Sequence, residues 1–277
     1  MGVTTSQQLQ KYLDLYSNHE VAFTKDVIKA TLLYPKQIFV KCLGYQWPCL
    51  LYSSSMVGAR IIINLQSGFR QIVAKANNTL SLRFSFLQRD KPDPLAFFVN
   101  AKIVDYMPYS SENPDLSFIN ITYTNKVPDD LIEKLGQLIE AQASAQNRKE
   151  ERLILTPEVI KETGISPKSV SLTIDNIPRK GILRDIAFSG AKMIILGVPK
   201  FLVGKAGILK MKLDNPEEII ELQGTVIRFE RIEGRTDIGA FIIQFKDGTI
   251  PIEYHLRLNR YFKNSKPRRN NEKELIP

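Results

Sequence analysis

Residues 185–195 have the sequence DIAFSGAKMII, and residues 53–63, SSSMVGARIII, carry a similar pattern. This similarity is the main sequence evidence for the fold. In both stretches a glycine and an alanine are followed by a basic residue and then by an apolar run. The two stretches lie 132 positions apart, counted from 53 to 185. A repeat at such a spacing is the sequence signature of a duplicated structural unit.

A second pair of segments supports the duplication. Residues 97–106, FFVNAKIVDY, match residues 220–229, IELQGTVIRF, at an offset of 123, and at the same offset Phe118 falls on Phe241. The offset therefore slips by nine residues between the two matches. We expect this slip to reflect a longer hairpin around residues 66–80 of the first copy.

Both copies have the texture of an all-β unit. Their short segments are rich in β-branched and aromatic residues and are separated by Gly, Pro, Asn and Ser, as in TLSLRFSFL (79–87), RLILTPEVI (152–160) and GILKMKL (207–213). Apolar residues at helical spacing predict helices within 6–20, 127–146 and 250–262. Each β-rich copy therefore ends in a helix.

Composition excludes several classes of protein. With 43% hydrophobic and 24% charged residues, the 277-residue chain is not wholly disordered, and its length suits two domains. Its longest apolar runs, about five residues, are too short for a membrane helix of about 20 residues, so we expect no membrane insertion. Two cysteines and two histidines give neither a disulfide framework nor a metal site, and this usage favours a cytoplasmic location.

The positive charge is concentrated in the second half. The chain has 38 Lys and Arg against 29 Asp and Glu, a net charge of +9. Residues 1–140 contain 14 basic and 12 acidic residues, whereas residues 141–277 contain 24 and 17. This excess predicts an anionic partner for the second half, which charge alone leaves open as a nucleotide, a nucleic acid or a membrane surface.

Two short motifs lie near the junction of the copies. Arg148 and Arg152 are four positions apart in NRKEER, and Asp185, Ala187 and Gly190 follow in DIAFSG. Taken alone, the arginines are typical of a solvated helix face and the glycine of a turn. Together, in this order and in a β-rich context, they resemble the RxxxR and (D/N)xSxxG signature of the PilZ domain.

The resemblance to the PilZ family implies a fold and a ligand. It implies a mainly β protein with two tandem PilZ-like six-stranded β-barrels, each closed by an α-helix, similar to the two-domain PilZ receptors of spirochaetes, the PlzA type. PilZ proteins bind cyclic di-GMP, so the resemblance implies a non-enzymatic receptor for this second messenger. The implied divisions are a degenerate PilZ-like domain at 1–140, a linker with RxxxR at 141–152, a PilZ domain at 153–263 and a disordered basic tail at 264–277.

The chemistry of these residue types fits the implied ligand. A guanidinium group meets the O6 and N7 atoms of guanine with two parallel hydrogen bonds, and it also matches phosphate oxygens and stacks on bases. A carboxylate at Asp185 accepts hydrogen bonds from guanine N–H groups. Gly190 lets the ligand or a neighbouring strand approach the backbone. The candidate ligand-binding residues are Arg148, Lys149, Arg152, Arg184, Asp185, Ala187, Gly190 and Arg228.

One position departs from the family pattern. The family's serine is Ala187 here, and the loss of a hydroxyl contact predicts an affinity lower by about fivefold. Lys149 and Arg184 flank the motifs as candidate phosphate contacts, with surface solvation as the alternative. Arg228 is either a ligand contact or an exposed strand arginine.

The first copy lacks the signature. In SSSMVG, Ser53 replaces the acid, no RxxxR precedes it, and Asp105 falls where Arg228 does. We therefore expect no cyclic di-GMP binding there, and instead domain packing or an output surface. For the whole chain we predict a linker switch, in which ligand orders Arg148 and Arg152 and transmits the messenger level to an unknown downstream protein.

Two other classes of function remain as alternatives. Nucleic-acid binding is supported by the basic second half, by Tyr261 and Phe262, and by the tail residues Lys263, Lys266, Arg268 and Arg269. A pure interaction module with a vestigial signature is the third class. The chain shows no phosphate-binding loop, nucleophile elbow or paired metal ligands, so we expect no enzyme activity.

Overall fold

The computed structural model describes residues 4–65, 68–196, 198–215, 217–232 and 234–265. It divides into two compact units, Met1–Ile139 and Glu140–Pro277. The predicted tail at 264–277, with Lys266, Arg268 and Arg269, lies almost entirely outside the described residues.

The first unit is a closed six-stranded barrel. Its strands are β1 (Val21–Ala22), β2 (Phe39–Cys42), β3 (Tyr45–Ser54), β4 (Gly58–Asn64), β5 (Thr79–Phe86), β6 (Leu95–Ser110) and β7 (Asn113–Tyr123). They pair in the order β3-β2-β5-β6-β7-β4, and β4 pairs back onto β3 to close the barrel, while the short β1 adds to β3. The helices are α1 (Ser6–Tyr16), α2 (Lys25–Thr31), α3 (Phe69–Lys75) and the first part of α4 (Asp129–Asn147), which begins in this unit and ends in the second.

The second unit repeats this topology. Its strands are β8 (Leu153–Ile154), β9 (Ile165–Ile174), β10 (Ile177–Ala187), β11 (Gly190–Leu196), β12 (Ala206–Leu213), β13 (Glu218–Ile232) and β14 (Arg235–Phe245). They pair in the order β10-β9-β12-β13-β14-β11, with β11 closing onto β10 and β8 adding to β10. The helices are α5 (Pro157–Thr163), α6 (Pro199–Leu202) and α7 (Ile252–Asn264). The predicted mainly β fold with two six-stranded barrels is therefore confirmed.

Strand register confirms the duplication and corrects its alignment. Val21 pairs with Ser54 as Leu153 pairs with Ile186, an offset of 132 for both strands. Leu82 pairs with Val99, and Leu209 with Leu222, so the offset is 127 in β5 and 123 in β6. The nine-residue slip is thus divided between two loops, five residues before β5 and four after it. The single longer hairpin at 66–80 was wrong in this respect.

The match of Phe118 to Phe241 was also wrong by one residue. Ile61 pairs with Ile119, and its counterpart Met193 pairs with Phe241. Ile119 and Phe241 are both fully buried, whereas Phe118 is half-buried. Because side chains alternate between the faces of a strand, a slip of one position exchanges the interior of the barrel for its exterior.

Four short helices, α2, α3, α5 and α6, were not predicted from the sequence. RLILTPEVI had the texture of a strand, but only Leu153–Ile154 is extended, and α5 begins at Pro157. The Thr156 hydroxyl accepts a hydrogen bond from the Val159 amide, and proline at the first helical position is already in a helical conformation. The first barrel has the same arrangement at α2, where Thr24 caps the amide of Val27.

The core of the second barrel positions the candidate site. Its interior is filled by aliphatic residues and by Phe241 and Phe245, and Tyr254, Leu258 and Phe262 of α7 belong to the same buried cluster. The helix therefore closes one end of the barrel. The hairpin from β10 to β11, which carries the DIAFSG motif, contributes Phe188 to this cluster.

Candidate functional site

The two predicted motifs meet on the second barrel. The guanidinium of Arg152 donates to the carboxylate of Asp185 at 2.5 Å, with side chains 36% and 13% exposed. Arg152 directly precedes β8, and β8 pairs with β10 through Ile154 and Asp185. The short strand β8 therefore brings the end of RxxxR beside the acid.

A serine holds the middle of the RxxxR segment. The hydroxyl of Ser189 lies 2.8 Å from the carbonyl oxygen of Lys149 and 3.2 Å from a carboxylate oxygen of Glu150. The Ser189 amide also donates to the Lys149 carbonyl. The hairpin between β10 and β11 thus binds the backbone that connects the two arginines.

Arg148 lies over an aromatic ring of the closing helix. Its guanidinium carbon is 4.8 Å from the centroid of Phe262, and its side chain is 25% exposed. Phe262 is buried and stacks on Phe188, with 5.7 Å between ring centroids. One face of the guanidinium is therefore used for a cation–π contact, while its edge makes only a 3.4 Å contact with exposed Glu151.

Ala187 and Gly190 have structural roles in the hairpin between β10 and β11. Ala187 is 1% exposed, and its carbonyl oxygen accepts a 2.7 Å hydrogen bond from the Tyr254 hydroxyl. Burial raises the pKa of Tyr254, so this hydroxyl remains a donor. A Cβ atom at Gly190 would lie 2.4 Å from the carbonyl oxygen of Ile243. It is the neighbouring strand β14, therefore, that requires glycine at this position.

A row of charges extends the site across the outer face of the barrel. Lys192 pairs in register with Asp185, and its ammonium group donates to Glu230 at 2.8 Å. Arg228, 64% exposed, lies 3.5 Å from the same carboxylate. The hydrogen bond from Lys192 lowers the pKa of Glu230, and the charges of Lys192, Arg228 and Arg152 act in the same direction. Glu230 is consequently ionised at neutral pH.

The remaining candidates lie at the margin of the site. Lys149 pairs with Asp247 at 2.9 Å, and both side chains are well exposed. Arg184 occupies the irregularity in register between Leu183 and Asp185, where its side chain is exposed and its carbonyl accepts from Leu155. Neither residue joins the charge row directly.

Sequence reasoning missed four residues of this region: Ser189, Lys192, Glu230 and Phe262 as a support for Arg148. Lys192 had a readable signal, because it follows Gly190 by two positions on the same strand, β11, and therefore lies on the same face of that strand. Glu230 follows Arg228 by two and shares its face. The contacts of Ser189 and Phe262 depend on tertiary packing and had no local signal.

The first barrel carries different residues at the equivalent positions. At the offset of 132, Glu20 replaces Arg152 and Tyr16 replaces Arg148, and the Glu20 carboxylate accepts a hydrogen bond from Ser53. Asn120 bridges Arg60 and Asp105 with two 2.8 Å hydrogen bonds, in the region that corresponds to the charge row. The guanidinium pair of the second barrel therefore has no counterpart in the first.

The aromatic residues cited for nucleic-acid binding are not displayed on α7. Phe262 is 4% exposed, and Tyr261 packs partly buried against the core. Lys263 is engaged by Glu140 at 2.5 Å. Base stacking needs exposed rings, so these residues do not form such a platform.

The described residues hold no candidate for a metal centre or for a membrane-spanning helix. Among them no group of three or more His, Cys, Asp and Glu side chains is placed to hold a metal ion. None of their helices combines the length and the apolar character needed to cross a bilayer.

Comparison with known proteins places the chain in a family. Residues 7–142 match the PilZN3 domain. A cyclic di-GMP binding protein of Treponema denticola is 41% identical over 262 residues, which cover 95% of this chain and 83% of the relative. The chain therefore belongs to the PilZ-type two-domain family of this relative, and the resemblance drawn from RKEER and DIAFSG is confirmed.

Solved structures that match this chain in the comparison include two cyclic di-GMP complexes. The PlzA protein of Borreliella burgdorferi with c-di-GMP has a TM-score of 0.43 at 20% identity, covering 93% of this chain and 99% of that chain. YcgR of Escherichia coli with c-di-GMP has a TM-score of 0.30 at 10% identity, covering 96% and 93%.

Proposed function

We propose that the chain is a cyclic di-GMP receptor that binds its ligand on the outer face of the second barrel. The observation that carries this proposal is the contact of Arg152 with Asp185 beside Arg148 on Phe262, because it joins the two motifs in one place. The family membership and the name of the Treponema denticola relative support the same ligand. No catalytic step is part of the proposed function.

Each side chain has a role suited to its chemistry. Arg148 and Arg152 present planar donors to guanine edges and to the phosphodiester oxygens. Asp185 uses one carboxylate oxygen for Arg152 and retains the other as an acceptor for guanine N–H groups. Lys192 and Arg228 add positive charge along the outer face of the barrel. Both side chains are held on that face by their contacts with the carboxylate of Glu230.

The segment 148–152 is the proposed switch. It connects the end of α4 with β8. Its described contacts to the second barrel and to α7 join Arg152 to Asp185, Lys149 to Asp247, Arg148 to Phe262, and Ser189 to the backbone of Lys149 and the side chain of Glu150. A ligand that contacts both arginines and Asp185 stabilises this docked arrangement over any other. The expected result is a change in the scattering profile or in inter-domain distances on saturation, and an unchanged profile would remove the switch while leaving binding intact.

Calorimetry tests the binding itself. Cyclic di-GMP is titrated into the wild-type chain and into Arg148→Ala/Arg152→Ala, with Arg60→Ala in the first barrel as the matched control. Loss of charged hydrogen bonds predicts an affinity lower by roughly 30-fold or more in the double variant and no change in the control. Equal heats in all three proteins, or no heat in the wild type, would contradict the proposal.

A further inference from the structure

The loop between β11 and β12 displays a cluster of apolar side chains. We call this cluster the lip; its members are Leu196, Val198, Phe201 and Val203. Their exposed fractions are 62%, 51%, 61% and 39%. Leu202, in the same loop, is 2% exposed and belongs to the barrel core. The end of β11 and the loop that follows it thus carry one inward anchor, Leu202, and four outward apolar side chains, of which Leu196 belongs to β11.

The loop is fixed to the barrel. Besides the burial of Leu202, the Gly204 amide donates to the Val226 carbonyl at 2.8 Å, and the Val226 amide donates to the Lys205 carbonyl at 3.0 Å. The backbone on the C-terminal side of the lip is hydrogen-bonded to β13. The barrel therefore holds the lip in place.

The first barrel shows that the fold does not require this exposure. The equivalent loop is longer by five residues and contains α3, whose Phe69 and Val73 are fully buried. Phe69 packs edge-to-face against Trp47 with 5.0 Å between ring centroids. One barrel therefore buries the large apolar side chains of this loop, and the other presents them to solvent.

The segments that form and flank the lip are rich in basic residues. Residues 175–182 and 196–205, which include the lip and the facing start of β10, contain four basic residues and one acidic residue: Arg179, Lys180, Lys200, Lys205 and Asp175. Gly181 pairs with Ile195, so the exposed Lys180 lies next to the end of β11. Lys205 is 52% exposed and pairs with the solvated Asp175 at 3.3 Å.

The lip and the ligand site lie at opposite ends of the same pair of strands. Gly181 and Ile195 form one end of the β10–β11 pairing, and Ala187 and Gly190 form the other. An occupant of the lip therefore leaves Asp185 and the RxxxR segment accessible. This surface is separate from the proposed cyclic di-GMP site.

We propose that the lip docks the second barrel on the surface of an anionic lipid bilayer. Exposed aliphatic and aromatic side chains enter the boundary between headgroups and acyl chains, while nearby lysines interact with anionic headgroups. The combination of an apolar ridge with a basic surround fits this occupant, because a bilayer offers both apolar depth and surface negative charge. The docking is interfacial and involves no membrane-spanning segment.

Vesicle flotation tests the proposal with the full chain. Vesicles of phosphatidylethanolamine and phosphatidylglycerol are compared with vesicles of phosphatidylcholine alone, using the wild type, Phe201→Ser/Val203→Ser, Lys205→Gln and the control Ile219→Ser. Ile219 is 67% exposed on β13, where it pairs with Lys212 away from the lip. Unchanged melting temperature and unchanged cyclic di-GMP titration show that the lip variants are folded.

We expect binding to the anionic vesicles only. The partition coefficient falls by about tenfold or more in Phe201→Ser/Val203→Ser, by about fivefold in Lys205→Gln, and stays constant in Ile219→Ser. Absence of binding to anionic vesicles overturns the proposal. Binding to anionic vesicles that the lip substitutions leave unchanged also overturns the proposal. The same holds if the lip instead binds nucleic acid or a second copy of the chain.

Discussion

Arg152 and Glu20 occupy the same position in two copies of one barrel and carry opposite charges. Arg152 donates to Asp185, and Glu20 accepts from Ser53, so each copy preserves a polar contact between the residue before its short first strand and the long strand that it joins. The structural need for a contact is thus the same in both barrels. The excess of guanidinium donors, which an anionic purine ligand requires, is present in the second barrel only.

We expect Gly190 of the DIAFSG motif to be essential for the stability of the second barrel, independently of any role in ligand binding. In Gly190→Ala the new methyl group meets the Ile243 carbonyl at 2.4 Å, and overpacking of this kind costs about 1–3 kcal/mol. Thermal unfolding should show a lower melting temperature. The control is Gly248→Ala, where the added methyl meets open space and only the positive φ of 77° opposes it. Equal stability of Gly190→Ala and wild type would contradict the packing argument.

The ring beneath Arg148 is expected to contribute to ligand affinity without touching the ligand. Phe262→Leu conserves most of the buried volume but removes the cation–π contact, so Arg148 loses orientation. A reduction in cyclic di-GMP affinity of about three- to fivefold should appear in calorimetry. Tyr261→Leu on the same helix is the matched control and should bind like the wild type. Equal weakening in both variants would show that the effect comes from a general loss of stability of α7 and not from the cation–π contact.

A partly buried histidine, His255, is expected to make the second barrel sensitive to acid. Burial lowers the pKa of His255 to about 4, and within the described part of the chain its Nε2 atom has no hydrogen-bond partner. In the unfolded chain the side chain titrates near 6.5. Between these values only the unfolded state binds the proton, so stability falls as the pH is lowered through this window.

Urea unfolding at pH 7 and pH 5 measures this effect. The contribution of His255 should amount to a loss of about 2 kcal/mol between these two pH values. His255→Gln has no titrating group at this position and should show a correspondingly smaller loss. A pH dependence that is the same in both proteins would disprove the role of the imidazole.

How much of the fold the sequence predicted depends on whether a feature is set by local residue patterns or by pairing between distant strands. The short β-branched and aromatic segments and the repeated Gly-Ala-basic pattern are local, and they predicted two β-rich units that each end in a helix. The two six-stranded barrels, which the structure confirms, were what the PilZ resemblance implied. The match of Phe118 to Phe241 failed because two aromatic residues look equivalent in a sequence, whereas register depends on hydrogen bonds between strands. The short helix α5 was missed because its N-cap, Thr156, lies inside RLILTPEVI, a segment of β texture.

The site was predictable to a similar degree. RxxxR and the acid were selected because together they resemble the PilZ signature, and this resemblance could be recognised because both motifs are short and contiguous. The support of Arg148 by Phe262 and of the linker backbone by Ser189 joins residues far apart in the chain, and no local pattern predicts such contacts. Gly190 was read as serving either a ligand or a neighbouring strand, and the structure shows the strand.

The most direct measurement compares the two equivalent positions by calorimetry. Cyclic di-GMP is titrated into the wild type, Arg152→Ala and Glu20→Ala, all at the same salt concentration. The account predicts that Arg152→Ala weakens binding by tenfold or more, as expected for the loss of a charged hydrogen bond, and that Glu20→Ala leaves the affinity within about twofold. Wild-type affinity in Arg152→Ala, or an equal loss in Glu20→Ala, would contradict it.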